Sequence, residues 1–121
     1  DPRRYYENSP LFLMDKVETP ILIMHNDEDG HVPWYQGIEY FVALKRLGKP
    51  AWMLNYTGEP HWPTKTPNKL DFQIRMKQFF DHFLKGEPMP KWMKDVAFSV
   101  IQVKKLQNAR NISLITTFFI K

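Results

Sequence analysis

The sequence predicts an α/β fold in which two parallel strands alternate with two helices. Two short runs rich in apolar residues, 21–24 and 51–56, have the composition of buried strands. Each run is followed by a polar loop and then by a segment with helical spacing of apolar residues, near 34–47 and 66–85. The strand–helix–strand–helix order with short connections is typical of a right-handed parallel unit.

The first half of the chain contains one predicted strand and one predicted helix. Residues 1–19 are predicted to be mostly irregular, with one or two helical turns at 11–14. Pro20 precedes the first strand, which has the continuous apolar character of a strand buried on both faces of a sheet. The following helix is predicted to stop at Gly48, because Pro50 prevents it from resuming.

The second predicted helix has a clear start, a clear end and one apolar face. Thr66 is predicted to be its N-cap, with Pro67 at the first helical position, and the helix should end before Gly86. Its apolar stripe consists of Phe72, Met76, Phe79, Phe80 and Phe83. Such a stripe is too apolar to face water, and an exposed strand edge can pair with another chain. We therefore predict that the chain forms a homo-oligomer through an exposed edge of the sheet.

The chain beyond residue 90 is harder to interpret. Two β-prone segments, 96–103 and 112–120, do not continue the preceding alternation, so we predict a main body at 1–95 and an irregular or β-prone extension at 96–121. Of the net charge of +4, residues 1–90 carry −1 and the segment 91–121 carries +5. Its cations are not clustered, as on an ordinary solvated surface, and we predict no nucleic-acid partner.

Two function classes are disfavoured by composition alone. No apolar run approaches the roughly 20 residues needed to span a membrane. The absence of cysteine excludes disulfides and thiolate metal ligands.

Asp29 and His61 lie in the two polar loops that follow the predicted strands. Open α/β sheets bind ligands at the carboxyl ends of their strands, where these loops leave the sheet. An aspartate there can accept a hydrogen bond from Nδ1 of the histidine and leave Nε2 to take a proton. A surface aspartate and a loop histidine without contact is the alternative, and spacing alone leaves it open.

A metal site is a second possibility in the first of these loops. His25, Asp27, Asp29 and His31 alternate along the chain and would point the same way on an extended segment. We predict no metal there, because the helical His-x3-His spacing and cysteine ligands are both absent.

Several segments, in the same order, resemble the C-terminal part of the catalytic domain of the prolyl oligopeptidase family, especially its dipeptidyl peptidases. Residues 21–33 (ILIMHNDEDGHVP) are similar to the segment that carries the acid of the catalytic triad. Residues 43–50 (ALKRLGKP) are similar to the end of the next helix, and 56–61 (YTGEPH) to the segment with the triad histidine. Residues 79–86 (FFDHFLKG) are similar to the terminal helix.

The resemblance implies a partial α/β-hydrolase fold for residues 1–95 and gives roles to three residues. It implies that Asp29 is the triad acid and His61 the general base of a serine peptidase acting on peptide substrates. Alignment on the flanking residues favours Asp29 over the neighbouring acids, Asp27 and Glu28. His31 matches a position that faces the substrate in dipeptidyl-peptidase relatives. No metal or organic cofactor is implied.

The nucleophile of such a peptidase is missing from the sequence. Members of the family carry Gly-x-Ser-x-Gly upstream of the acid, and Ser9, Ser99 and Ser113 have no such glycines around them. The family order Ser–Asp–His places the serine before residue 1, so the chain is expected to be an inactive fragment of the enzyme. A non-enzymatic binding or interaction domain is the alternative.

Two departures and one similarity complete the comparison with the family pattern. Asn26 replaces the usual glycine after His25, a mild change because asparagine tolerates positive φ. Trp62 replaces a common glycine after the histidine and is expected to narrow the site. The stretch from Pro88 to Met93 is similar to the tail of exported bacterial members. The resemblance therefore implies an exported, periplasmic parent, although the sequence itself gives no localisation.

Overall fold

The chain alternates strands and helices over most of its length. A computed structural model describes residues 1–96, 99–103 and 115–119. The elements are α1 (Pro2–Asn8), a 3₁₀ helix (Pro10–Lys16), β1 (Ile21–Met24), α2 (Trp34–Arg46), β2 (Ala51–Tyr56), α3 (Thr66–Lys85), α4 (Lys91–Lys94), β3 (Ser99–Val103) and β4 (Ile115–Phe119). The predicted strand–helix–strand–helix order is confirmed, and the architecture is a mixed α/β one.

The described strands form one sheet with the order β1-β2-β3-β4. β1 is parallel to β2, with Ile21 opposite Ala51 and Met24 opposite Leu54, and β2 is parallel to β3. β4 is antiparallel to β3. Because β1 and β2 are parallel neighbours, the loops that follow them leave the sheet at the same edge.

The side chains of β2 alternate between two apolar clusters, one on each face of the sheet. Ala51 and Met53 pack with residues of α2, whereas Trp52, Leu54 and Tyr56 pack with residues of α3 and α4. All six residues of β2 are buried. Full burial of a large apolar side chain contributes roughly 1.5–3 kcal/mol, so this central strand contributes strongly to the stability of the fold.

A buried polar network fixes the C-terminal end of β2 to α3. The hydroxyl of Tyr56 donates to Oδ2 of Asp71 at 2.9 Å, and Arg75 Nε lies 2.7 Å from the same oxygen. Burial, together with the nearby carboxylate of Asp71, raises the pKa of Tyr56 far above its usual value. The phenol therefore remains a donor at neutral pH, which holds in place the strand end that leads into the second polar loop.

The N-terminal residues are more regular than the sequence predicts. The carboxylate of Asp1 accepts a hydrogen bond from the backbone of Arg3 at 3.0 Å, and Pro2 begins α1. The 3₁₀ helix then buries Met14 against α2. The predicted irregular segment is therefore wrong in detail, because local capping makes two short helices possible.

β1 is half-buried along its whole length, not buried on both faces as predicted. The reason is its position at the edge of the sheet, with no described strand pairing its other side. On α3, Phe79 is buried, Phe72 and Phe83 are half-buried, and Phe80 is 49% exposed. Self-association through this edge stays a prediction.

The two ends of α3 differ in how well the sequence predicts them. Gly86 ends the helix with a φ of 73°, as expected. At the other end the N-cap position belongs to Lys65, not to Thr66. The carboxylate of Glu59, six residues earlier in the loop, accepts hydrogen bonds from the backbone amides of Thr64 and Lys65.

The first β-prone segment does continue the alternation, contrary to the sequence-based expectation. β3 is the parallel neighbour of β2 and follows it through α3, and it buries Val100, Ile101 and Val103. Of the second β-prone segment, 115–119 form β4, and the other residues of 112–120 lie outside the described part of the chain. The boundary at 95 and the role of 96–121 stay predictions. Among the described residues, no helix has the length and hydropathy needed to span a membrane.

Gly37 in α2 allows the loop after β1 to lie close to the helix. A Cβ atom at this position would come within 2.2 Å of His25 Nδ1. The His25 ring has little room to move, since it contacts Trp34 edge-on and its Nε2 lies 3.1 Å from the carbonyl of Val32.

We therefore expect Gly37→Ala to destabilise the chain by about 1–3 kcal/mol, as overpacking does. At a helical position with open space around it, the same substitution would stabilise the chain, because alanine is favoured over glycine in helices by about 1 kcal/mol. Urea denaturation of the purified chain measures the difference. Gly30→Ala is the control, because no atom lies within 4 Å of its added Cβ, and its effect should stay within about 0.5 kcal/mol. Equal losses in both variants would contradict this explanation.

Candidate active site

The two polar loops meet at the edge of the sheet where β1 and β2 end. The backbone amide of His25 donates to the carbonyl of Leu54 at 3.1 Å, which continues the pairing of the strands into the first loop. The side-chain amide of Asn55 donates back to the carbonyl of His25 at 3.3 Å. Residues 25–33 and 57–65 are therefore adjacent, as the parallel topology predicts.

Asp29 and His61 are in direct contact. Oδ2 of Asp29 lies 2.7 Å from Nδ1 of His61. An ionised carboxylate can only accept, so Nδ1 carries the proton and Nε2 is the free nitrogen of the neutral ring. The predicted placement of the two side chains at the strand ends is observed. Their catalytic role stays a prediction.

The carboxylate of Asp29 is held from its other side by the backbone of its own loop. Oδ1 accepts hydrogen bonds from the amides of His31 at 2.8 Å and Val32 at 2.9 Å. The side chain of Asp29 is only 3% exposed, whereas that of His61 is 34% exposed. This rigid support explains why the contact with His61 is short, although His61 makes no further hydrogen bond within the described residues.

The protonation state of Asp29 follows from these contacts. Burial by itself raises the pKa of a carboxyl group, but the hydrogen bonds from Val32, His61 and His31 outweigh it and hold the pKa of Asp29 well below its usual range. Asp29 is therefore ionised at neutral pH. An ionised partner stabilises a proton on the neighbouring imidazole.

Asn26 connects the two loops. Its side chain is fully buried, its Oδ1 accepts from the backbone amide of Tyr56 at 3.1 Å, and its Nδ2 donates to the carbonyl of Pro60 at 2.7 Å. Asp27 adds a second connection by accepting from the amide of Gly58 at 2.8 Å. No described non-glycine residue has a positive φ, so the predicted reason for tolerating Asn26 is wrong. Asn26 contributes through the hydrogen bonds of its side chain and not through its backbone conformation.

Glu59 anchors the loop of His61 to the start of α3. Its fully buried carboxylate accepts from the amide of Thr64 at 2.6 Å, from the hydroxyl of Thr64 at 2.7 Å, from the amide of Lys65 at 3.2 Å and from the side chain of Asn68. Burial opposes ionisation, but these donors outweigh it and lower the pKa of Glu59 to about 2. His61, two residues later, thus belongs to a loop that is fixed at both ends.

Two exposed side chains flank the ring of His61. The ring of His31 lies 5.2 Å from it, centroid to centroid, and the ring of Trp62 lies 4.9 Å away, edge-on. Trp62 is 69% exposed and His31 is also exposed. Contact of His31 with substrate, and narrowing of the site by Trp62, stay predictions.

The alternating residues considered as metal ligands are not all brought together. The carboxylate of Asp27 accepts a hydrogen bond from the amide of Gly58, and Nε2 of His25 lies 3.1 Å from the carbonyl of Val32. Within the described parts of the chain, a different set has converging donor atoms, namely Asp29, His31 and His61.

Of the two serines in the described residues, neither Ser9 nor Ser99 lies in a strand-to-helix elbow next to His61. The hydroxyl of Ser9 donates to the carbonyl of Tyr5 at 2.7 Å, at the end of α1. Ser99 begins β3, and Ser113 lies outside the described residues. The absence of a nucleophile from this chain stays a prediction.

Sequence reasoning missed three residues that support the pair, namely His25, Asn26 and Glu59. Nε2 of His25 lies 3.4 Å from Oδ2 of Asp29, behind the carboxylate. All three residues belong to the polar loops, and this location is the one feature of the sequence that points to a supporting role. The partners of Asn26 lie 30 and 34 residues away, beyond the range of any local pattern.

Comparison with known proteins agrees with the resemblance that the sequence motifs indicate. The sequence profile of the prolyl oligopeptidase family matches residues 1–87. Dipeptidyl-peptidase 5 of Porphyromonas endodontalis is 35% identical over 83 residues, which are 69% of this chain and 12% of that protein. Dipeptidyl-peptidase 5 of Trichophyton schoenleinii is 40% identical over 58 residues, or 48% of this chain and 8% of that protein. The acylamino-acid-releasing enzyme of Mus musculus is 40% identical over 55 residues, or 46% of this chain and 8% of that enzyme. The chain thus spans a small fraction of the length of these relatives.

Proposed function

Because the chain belongs to the prolyl oligopeptidase family of peptidases, we propose that it supplies the acid and the base of a serine peptidase. Asp29 is the acid, His61 is the base, and the nucleophilic serine lies outside these 121 residues. The observation that carries the proposal is the 2.7 Å contact between Asp29 Oδ2 and His61 Nδ1 at the ends of two neighbouring parallel strands.

The proposed reaction is hydrolysis of a peptide bond through a serine ester. Nε2 of His61 takes the proton of the serine hydroxyl as the oxygen attacks the carbonyl carbon, and the resulting imidazolium is stabilised by the ionised Asp29. His61 then gives the proton to the leaving amine and activates the water that hydrolyses the ester. No cofactor takes part in these steps. The names of the relatives, which include dipeptidyl peptidases and an acylamino-acid-releasing enzyme, support peptide substrates.

A fluorophosphonate probe tests where the nucleophile lies. We expect no labelled serine in the purified chain, and one labelled serine, within Gly-x-Ser-x-Gly, in the full-length protein. Heat-denatured full-length protein is the control for non-specific labelling. Stoichiometric labelling of Ser9, Ser99 or Ser113 would contradict the proposal. A full-length protein that takes up no probe would favour a non-enzymatic binding domain.

A further inference from the structure

Three potential metal ligands converge beside the contact between Asp29 and His61. One carboxylate oxygen of Asp29 and one ring nitrogen each of His31 and His61 all lie within 4.8 Å of one another. The rings of the two histidines are 5.2 Å apart and tilted by 44°. His31 is not a member of the proposed triad, although its exposed ring lies next to that of His61.

We propose that Asp29, His31 and His61 form a binding site for one divalent transition-metal ion, with Zn²⁺ as the representative ion. Two imidazoles and one carboxylate are a donor set that suits zinc, nickel and copper, whereas magnesium and calcium prefer oxygen ligands. A water molecule completes a four-coordinate shell, as it does in zinc sites with three protein ligands.

The distances between the donor atoms fit such a shell after small movements. Zinc–ligand bonds of roughly 2.0–2.2 Å place two tetrahedral ligands about 3.4 Å apart. At present Asp29 and His61 are 2.7 Å apart, and all three donor atoms lie within 4.8 Å of one another. His31 is exposed and His61 is 34% exposed, so both rings can adjust by side-chain rotation.

The third ligand is already fixed by its surroundings. Oδ1 of Asp29 accepts hydrogen bonds from the amides of His31 and Val32, and Nε2 of His25 lies 3.4 Å from Oδ2. Hydrogen-bonded support of this kind orients a ligating carboxylate and strengthens metal binding. The site therefore combines one rigid anionic ligand with two adjustable neutral ligands.

Metal binding has a direct consequence for His61, and this step rests on the proposed function. If Nδ1 binds the metal, the ring proton moves to Nε2, which then cannot accept a proton from the serine. If Nε2 binds the metal, its lone pair is already used. In either case the metal-bound histidine cannot act as a general base, so occupation of the site inhibits the peptidase reversibly.

Calorimetric titration of the purified chain with Zn²⁺ tests the site. We expect one ion per chain, affinity reduced at least tenfold by His31→Ala, and no measurable binding of Mg²⁺. His82→Ala is the matched control, because His82 lies near the C-terminal end of α3 and pairs with the carbonyl of Glu87. Nitrogen-detected histidine spectra should shift for His31 and His61 and not for His82. Unchanged affinity in His31→Ala, an equal loss in His82→Ala or no zinc binding would overturn the proposal.

A second measurement separates the metal site from the proposed catalytic role. In the full-length peptidase we expect Zn²⁺ to lower kcat/KM, a chelator to restore it, and His31→Ala to require at least tenfold more zinc for the same inhibition. If zinc binds the chain as expected but a saturated peptidase keeps its activity, the metal site stands and the role of His61 as the base is wrong.

Discussion

We expect Asp29→Asn to lower kcat of the full-length peptidase by about 10⁴-fold while leaving the protein folded. The direction in which the new amide points decides this result. The amides of His31 and Val32 both donate to Oδ1 of Asp29, so the oxygen of an asparagine must occupy that side. Its NH₂ group then faces Nδ1 of His61 and donates to it. The ring proton is forced onto Nε2, the nitrogen that accepts the proton of the serine in the proposed mechanism.

Asp27→Asn is the matched control for this experiment. Asp27 is the nearest competing acid, but its Oδ1 only accepts a hydrogen bond from the amide of Gly58, which an asparagine oxygen can also do. We expect its kcat to stay within about threefold of the unchanged enzyme, because the substitution leaves the tautomer of His61 unaltered. Both variants are measured with the same chromogenic peptide substrate and checked for folding by circular dichroism. A large loss in Asp27→Asn with activity retained in Asp29→Asn would mean that the acid is misassigned.

The sequence predicts the position of Asp29 and His61 well, because that position depends on topology alone. Two apolar runs with helical spacing between them are local patterns, and a parallel crossover puts both following loops at one edge of the sheet. The 2.7 Å contact of their side chains depends in addition on the backbone amides that hold Asp29, which no local sequence pattern indicates.

The supporting residues and the C-terminal strand could not be predicted by the same reasoning. Asn26 looked like a tolerated substitute for glycine, yet its side chain connects two loops that are distant in sequence. The segment that forms β3 was β-prone, but its pairing with β2 is a long-range contact that no local pattern encodes. Such contacts appear only once the sheet is assembled.

We expect Glu59→Gln to lower mainly the stability of the chain, whereas Asp29→Asn lowers mainly kcat. The two oxygens of Glu59 both face donors, with Thr64 on Oε2 and with Lys65 and Asn68 on Oε1. Whichever way a glutamine side chain is turned, its NH₂ group meets a donor, and no neighbouring ring can change tautomer to relieve the conflict. The full pKa shift corresponds to about 1.4 kcal/mol per unit, and a glutamine oxygen still accepts from the donors on one side, so we expect a loss of about 2 kcal/mol in the free energy of unfolding.

The pH dependence of this loss distinguishes the charge of Glu59 from simple packing. The pKa of Glu59 is lowered from 4.5 to about 2, so the folded state binds its proton less readily than the unfolded state. Its contribution is therefore fully present above about pH 5 and is lost as the pH falls toward 2. Urea denaturation of the chain should show a difference between unchanged protein and Glu59→Gln that shrinks over this range. Glu39→Gln, at an exposed position of α2, is the control and should stay within about 0.5 kcal/mol throughout. A difference that stays constant down to pH 2 would show that Glu59 acts through its shape and not through its charge.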